Sequence, residues 1–159
     1  MTTLPNDDGP IVGFRGQWYG LSPSAPLNRP ISEYLHASQL RYPTVRKAYH
    51  AARTHDVTLK AHIIAARTQE DFERLIPKLP DNPEWALIKE RVMYRLLQEK
   101  FQDASTKQLL LKTGTRVLMH RSDTNDRYWG VDKNGEGYNR YGVLLMRLRD
   151  HFRSQAQAA

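Results

Sequence analysis

The residues of this chain best equipped for chemistry are concentrated in one segment near its C-terminus. The segment contains Asp126, Arg127, Tyr128, Trp129, Gly130, Gly135, Gly137, Asn139 and Gly142. Glycine lets the backbone approach another group closely, tryptophan offers a flat face for stacking, and Asp and Asn supply hydrogen-bond acceptors and donors. These residue types suit a pocket for a planar, hydroxylated ligand such as a nucleoside. The alternative interpretation is a turn built from Asx and glycine residues over a core tryptophan.

Regular elements are predicted on both sides of this segment and along the rest of the chain. A strand is expected over residues 115–120 and an apolar helix over residues 141–152. Apolar spacing predicts further helices over residues 44–55, 58–66, 68–76, 83–101 and 105–111. Thr44 and Thr68 are the expected N-caps of two of these helices.

The N-terminal part of the chain is expected to be less regular. Short strands are predicted over residues 11–14 and 17–19, and the prolines between residues 23 and 43 predict a long ordered loop with a short helix near residues 32–39. We therefore expect an α+β fold, a mainly helical single domain with a small β-sheet over residues 11–152. A flexible N-terminus at residues 1–10 and a fraying tail at residues 153–159 are expected to flank it.

Composition limits the classes of function. The 159 residues suffice for one domain with a core, and they include no cysteine, which excludes a disulfide framework or a thiol nucleophile. Residues 1–10 lack the pattern of a signal peptide, and no apolar run approaches the ~20 residues that span a bilayer. We expect a cytoplasmic protein with no membrane partner. The six histidines lack metal-site spacing and no P-loop is present, so we expect neither a metal nor a cofactor.

The chain is strongly basic. Its formal net charge is +7 and its pI is about 9.8. This balance favours anionic partners such as phosphates, nucleotides or a nucleic acid. The basic residues are spread along the chain rather than gathered in one arm, which weakens the case for a dedicated DNA-binding protein.

The order of the motifs resembles the NADAR (YbiA-like) family. The C-terminal match comprises Asp126, Tyr128, Trp129, Gly130, Gly135, Gly137, Asn139, Gly142, Leu144, Leu145, Met146, Leu148 and Arg149. A second match runs through Trp85, Lys89, Val92, Met93, Leu96, Lys100 and Phe101, and a third through Leu110, Leu111, Thr113 and Gly114. A fourth comprises Tyr42, Pro43, Thr44, Ala48, Tyr49 and Ala51. The resemblance covers roughly residues 11–152 of the sequence.

The resemblance implies an N-glycosidase. Such an enzyme hydrolyses the bond between ribose phosphate or ADP-ribose and a base, in a ribosylaminopyrimidine of riboflavin synthesis or in ADP-ribosylated guanine. The transition state of such a cleavage resembles an oxocarbenium ion, which a nearby carboxylate stabilises. The implied partner is a small molecule that contains ribose phosphate or ADP-ribose, with a nucleic acid as a further candidate. The implied substrate-binding residues are Ser22, Arg46, Lys47, His50, Trp129, Gly130, Gly137 and Asn139.

The chain departs from the family pattern where the catalytic glutamate is expected. Arg46 occupies that position and Lys47 follows where the family has histidine. An arginine does not act as a base at neutral pH. Asp126 and Glu33 are therefore the candidate catalytic carboxylates. The alternatives are a catalytically silent module that binds ADP-ribose, a nucleotide or a nucleic acid, or a shifted alignment over residues 26–46.

Two further features of the sequence, a basic helix face and a tryptophan, each allow two interpretations. Arg46, His50 and Arg53 share one helix face, which is either solvated or adapted to a more anionic ligand. Trp85 falls on the apolar stripe of its predicted helix, so we interpret it as a core side chain rather than a ligand-binding one.

Overall fold

The computed structural model describes residues 8–36 and 38–158. Its strands are β1 (Ile11–Val12) and β2 (Leu118–Met119). Its α-helices are α1 (Val45–Ala51), α2 (Val57–Ala65), α3 (Gln69–Leu75), α4 (Trp85–Lys100), α5 (Ala104–Lys112) and α6 (Arg140–Ala158). Two 3-10 helices cover Gly16–Leu21 and Ile76–Lys78. The predicted α+β class, mainly helical with a small sheet, is confirmed.

The predicted single domain is built from two compact units. The central unit is the continuous stretch from Pro23 to Asp103, and the terminal unit combines the residues up to Ser22 with those from Ala104 onwards. Most of the N-terminus predicted as flexible, residues 1–7, lies outside the described residues, as do Ala37 and Ala159.

The terminal unit is organised around a two-stranded parallel sheet. Ile11 pairs with Leu118 and Val12 with Met119. The apolar face of α6 packs against β2, and Leu118, Leu145 and Leu148 are buried there. The hydroxyl of Tyr141, at the start of α6, donates to the carbonyl of Leu21. This bond joins the helix to the end of the first 3-10 helix.

The central unit is helical, and its helices begin where local capping dictates. The Thr44 hydroxyl accepts from the Lys47 amide at 3.1 Å, and the Thr68 hydroxyl accepts from the Asp71 amide at 3.1 Å, so both predicted N-caps are confirmed. Asp56 caps α2 in the same way, which was not predicted. Helix α1 packs against α2 and α4 through the buried face that carries Val45 and Ala48.

Two predictions in the N-terminal part are wrong. Residues 17–19 form part of a 3-10 helix rather than a strand, because Gly16 adopts a φ of +56° and turns the chain so that the Trp18 amide donates to the Arg15 carbonyl. No helix forms in the described residues between 32 and 39. Instead Ile31 and Tyr42 form an antiparallel bridge. Between them, the side chain of Glu33 is fully buried.

The last helix is longer than predicted. Helix α6 continues to Ala158 and so includes residues 153–158 of the predicted tail. Residues 153–158 contain no glycine or proline and are rich in alanine and glutamine, which favour helix. Within the described residues, no helix is long and apolar enough to cross a membrane.

Candidate functional site

The segment from Asp126 to Gly142 folds into a loop held mainly by its own backbone. The carbonyls of Arg127, Tyr128 and Trp129 accept hydrogen bonds from the amides of Tyr138, Arg140 and Tyr141, at distances of 2.7 to 3.0 Å. The two ends of the loop therefore lie against each other. This pairing places Trp129 directly beside the start of α6.

Asn139 fastens this loop to β2. Its side-chain nitrogen donates to the Leu118 carbonyl at 2.8 Å, and its side-chain oxygen accepts from the His120 amide at 2.8 Å. The residue is buried and has a φ of +51°, which asparagine tolerates better than most residues. Both polar atoms of this predicted substrate-binding side chain are thus engaged with backbone.

Gly130 and Gly137 lie where no side chain fits. A Cβ on Gly130 would lie 2.4 Å from the His120 carbonyl oxygen, and a Cβ on Gly137 would lie 2.3 Å from the Gly130 carbonyl oxygen. Gly137 also has a φ of +146°, a conformation that L-residues rarely adopt. Close backbone packing is sufficient to explain these two predicted substrate-binding positions.

Asp126 caps the turn that presents Trp129. One carboxylate oxygen accepts from the amides of Tyr128 at 2.9 Å and Trp129 at 2.8 Å, while the residue stays partly exposed. The Trp129 ring meets Tyr128 edge to face at 5.0 Å and is also partly exposed. The Asx turn of the alternative interpretation is therefore present, but the tryptophan above it is not a fully buried core residue.

Ser22 is also in the terminal unit, where it ends the first 3-10 helix. Its amide donates to the Tyr19 carbonyl at 2.9 Å, and the residue is buried. Asp126, Trp129, Gly130, Gly137 and Asn139 belong to this same unit, whereas Glu33, Arg46, Lys47 and His50 belong to the central unit.

In the central unit, the basic residues at the start of α1 have internal partners. The guanidinium of Arg46 pairs with the Glu73 carboxylate and lies over the Phe72 ring at 4.8 Å. The ammonium of Lys47 donates to the carbonyls of Ala66 at 2.7 Å and Ile64 at 3.3 Å, and burial lowers its pKa. Lys47 therefore closes the C-terminal end of α2, a contact that explains its position without a ligand.

His50 is held in its neutral form. Burial lowers its pKa to about 3, with further lowering by the charges of Arg46 and Arg53. The Arg53 guanidinium lies 3.3 Å from Nδ1 of His50, and since guanidinium groups only donate, Nδ1 is the acceptor. His50 is thus an uncharged imidazole between two arginines.

Glu33, the other candidate catalytic carboxylate, is fully buried. Its Oε1 accepts from the Ser38 hydroxyl at 2.6 Å and from the Lys60 ammonium at 3.1 Å. Burial acts to raise its pKa, but the hydrogen bonds from Ser38 and Lys60 bring the pKa below its usual value. Glu33 is therefore ionised but shielded, a position that suits a supporting group better than one that touches a ligand.

A surface cavity of about 590 Å³ lies within the central unit. Its lining includes Arg53, Trp85, His36, His55, Asp81 and Glu84. The Trp85 ring lies 5.2 Å from that of Tyr49 and is partly exposed, so its interpretation as a core side chain is wrong. Trp85 is the first residue of α4, directly after a proline-rich loop, and it lines the cavity.

Sequence reasoning missed this cavity because its lining comes from three separate stretches of the chain. The available signal was a tryptophan at a helix start, directly preceded by a loop with acidic residues and prolines. In the part of the chain that the structure describes, no group of three or more His, Asp or Glu residues is arranged to hold a metal ion.

Known proteins resemble this chain over most of its length. The NMR structure of Escherichia coli YbiA matches with a TM-score of 0.72 and 25% identity, covering 94% of this chain and 89% of that one. The N-glycosidase YbiA of Escherichia coli is 39% identical over 89 residues, which are 55% of this chain and 52% of that protein. The chain thus spans about half the length of the YbiA relatives it matches by sequence.

Two further comparisons extend the match. An N-glycosidase of Nostoc punctiforme is 30% identical over 126 residues, 76% of this chain and 80% of that protein. A chloroplastic riboflavin biosynthesis protein, PYRR, of Arabidopsis thaliana is 37% identical over 84 residues, 52% of this chain and 14% of that protein. The family model for the NADAR domain matches residues 12–153, which include the whole central unit and most of the terminal unit. The chain therefore belongs to the NADAR domain family, as its motifs predicted.

Proposed function

We propose that this protein is an N-glycosidase that hydrolyses the bond between ribose phosphate or ADP-ribose and a base. The observation that carries the proposal is the cavity of about 590 Å³ in the central unit, a volume typical of small-molecule sites. Its lining combines an aromatic ring, Trp85, with a guanidinium, Arg53. The relatives named as N-glycosidases support the same activity.

The lining residues suit the parts of such a substrate. Trp85 offers a face on which a base stacks, and Arg53 offers donors for a phosphate. Cleavage also needs a carboxylate that stabilises the positive charge developing on the ribose and directs water to it. Glu84 and Asp81 line the cavity, whereas Glu33 does not. Glu84 and Asp81 are therefore the candidates for that role within this cavity, and Asp126, which belongs to the terminal unit, stays the candidate that the sequence offered.

A base-release assay tests this proposal. Purified protein is incubated with a ribosylaminopyrimidine phosphate and, separately, with DNA that carries ADP-ribosylated guanine, and the released base is quantified by chromatography. We expect release from at least one substrate, and a loss of about a hundredfold or more in the variant that lacks the working carboxylate, Asp126→Asn, Asp81→Asn or Glu84→Gln. Glu70→Gln, at an exposed position on α3, is the matched control and should keep full activity.

The second candidate function is a catalytically silent module that binds ADP-ribose, a nucleotide or a nucleic acid. The observation that favours it is Arg46, which stands where the family pattern has its glutamate and is tied to Glu73. A positive group there favours phosphate and disfavours an oxocarbenium ion. Absence of base release together with measurable ADP-ribose binding, weakened in Arg46→Glu, would support the silent module. Stronger diphosphate binding by Arg46→Glu would contradict this role for Arg46. A cytoplasmic location remains a prediction from the sequence.

A further inference from the structure

A chain of buried polar contacts leads from the interior of the central unit to the cavity. It begins at Glu33, whose side chain is 0% exposed, and passes to Lys60 on α2, whose side chain is 1% exposed. The Lys60 ammonium lies 3.1 Å from Oε1 of Glu33 and 2.7 Å from Nδ1 of His36. His36 lines the cavity, and its ring lies 3.9 Å from that of His55, which also lines it.

These contacts fix which nitrogen of His36 carries its proton. An ammonium group only donates hydrogen bonds, so Nδ1 of His36 is an acceptor and the proton of the neutral ring is on Nε2. Burial lowers the pKa of His36, and the charge of Lys60 and the neighbouring His55 lower it further, against an opposing effect of Glu33. His36 therefore stays neutral near pH 7 and acts neither as a base through Nδ1 nor as a strong acid.

The free-energy cost of burying the Glu33 and Lys60 charges indicates that this ion pair has a role other than stability. A fully buried ion pair loses the hydration of both charges, and a well-packed apolar pair of the same volume is often at least as stabilising. The Glu33 carboxylate is nevertheless further bonded by the Ser38 hydroxyl at 2.6 Å. These contacts together hold one imidazole in a defined orientation at the wall of the cavity.

We propose that His36 is a specificity-determining residue of this cavity, which donates a hydrogen bond from Nε2 to an acceptor oxygen of a 5-phosphorylated ribose. Glu33 and Lys60 are the positioning residues that hold the ring in this state. The class of ligand rests on the proposed function, since both candidate substrate classes contain this sugar. Glu33 thus takes a supporting role in place of the catalytic one that its sequence position suggested.

The tautomer is tested by NMR on the full chain. Protein with ¹⁵N-labelled imidazoles gives two-bond ¹H–¹⁵N correlations, and the His36 signals are assigned by their loss in His36→Gln. We expect a protonated Nε2 and an unprotonated Nδ1 at pH 7.5. In the double variant Glu33→Gln with Lys60→Met, which removes both buried charges, we expect the ring to lose this fixed preference. A protonated Nδ1 in the wild-type protein would overturn the proposal.

Ligand binding is tested with two probes, ribose 5-phosphate and ADP-ribose, which separate a simple sugar phosphate from a diphosphate source. We expect at least one probe to shift the His36 Nε2 signal. The Kd should rise about tenfold in His36→Ala, the effect of losing about one hydrogen bond, and less in His36→Gln, which keeps a donor. His62→Ala is the matched control, because His62 is an exposed histidine on the same helix as Lys60.

The results of the binding and base-release experiments test the role of His36 separately from the N-glycosidase activity. Wild-type affinity in His36→Ala, or no binding of either probe, would overturn the role of His36 even if base release is observed. Binding that depends on His36 without any base release would support that role and refute the N-glycosidase. If base release is observed, His36→Ala should raise KM more than it lowers kcat.

Discussion

Single residues explain the unusual composition of the segment between Asp126 and Gly142. Asn139 is bonded to the backbone on both sides of Met119, and Asp126 holds the amides of Tyr128 and Trp129. Gly137 allows two stretches of backbone to touch. These residues build the support for Trp129, so the segment is best understood as a scaffold for this partly exposed tryptophan.

Two glycines of this segment provide a matched comparison. Both have positive φ, but a Cβ at Gly135 would meet open space, whereas one at Gly137 would collide with the Gly130 carbonyl. We expect Gly135→Ala to lower the free energy of unfolding by about 1 kcal/mol through backbone strain alone. Gly137→Ala should cost about 3 kcal/mol or more, because backbone must move.

Chemical denaturation followed by circular dichroism measures both variants. Equal losses of stability in the two alanine variants would contradict the close backbone contact at Gly137.

At the scale of elements, the basic residues of helix α1 do not form the solvated face that was one interpretation of the sequence. Arg46 contacts α3 through Glu73 and Phe72, Lys47 closes the end of α2, and His50 is neutral. The basic face of α1 therefore joins three helices of the central unit. Unlike these three residues, Arg53 lines the cavity.

The contact between Arg46 and Glu73 predicts the result of a charge reversal. The side chains are 22% and 33% exposed, so their interaction is only partly screened. Arg46→Glu alone should destabilise the protein, because two carboxylates would then face each other. The double variant Arg46→Glu with Glu73→Arg should recover stability, with a coupling energy of about 1 kcal/mol.

Thermal unfolding of the wild type, both single variants and the double variant closes this mutant cycle. Strictly additive effects would mean that the pair does not interact in solution.

Local rules predicted much of the fold, and long-range contacts explain the errors. Thr44 and Thr68 bond amides three residues away, so their sequence neighbours suffice to predict them. Glu33 is buried because it pairs with Lys60, which is 27 residues away in the sequence. A contact between residues so far apart cannot be predicted from the local sequence around residues 32–39. The glycine-rich loop of the candidate site was predictable because its turn contacts, such as those of Asp126 with the next amides, join residues close in sequence. Trp85 was misplaced because helical periodicity does not reveal whether a face is covered.

For the whole molecule, the folded state lowers the pKa of two histidines, and these two shifts contribute to the way stability depends on pH. His50 titrates near 3 in the folded protein, against an ordinary value of 6.5. The pKa of His36 is lowered too. Above pH 6.5 both rings are neutral in the folded and unfolded states and have no effect. Below pH 6.5 the unfolded chain takes up protons that the folded protein does not, so stability falls as the pH drops from 6.5 towards the lowered pKa values.

Replacing His50 should make this pH dependence shallower. Between pH 7.5 and 5.0 we expect the wild type to lose about 2 kcal/mol more of its free energy of unfolding than His50→Gln does, since the pH falls about 1.5 units below the ordinary histidine pKa. Urea denaturation at the two pH values measures the difference. His62→Gln, at an exposed histidine, should retain the wild-type dependence. An identical pH dependence in His50→Gln would show that His50 is not held neutral.

The parallel pairing of β1 with β2 also bears on the order in which the protein folds during synthesis. Ile11 finds its partner only at Leu118, so the terminal unit cannot close until most of the chain has left the ribosome. The central unit is one continuous stretch of the chain, from Pro23 to Asp103. Domains translated first generally fold first. The first strand of the nascent protein therefore waits unpaired while the middle of the chain is already able to fold.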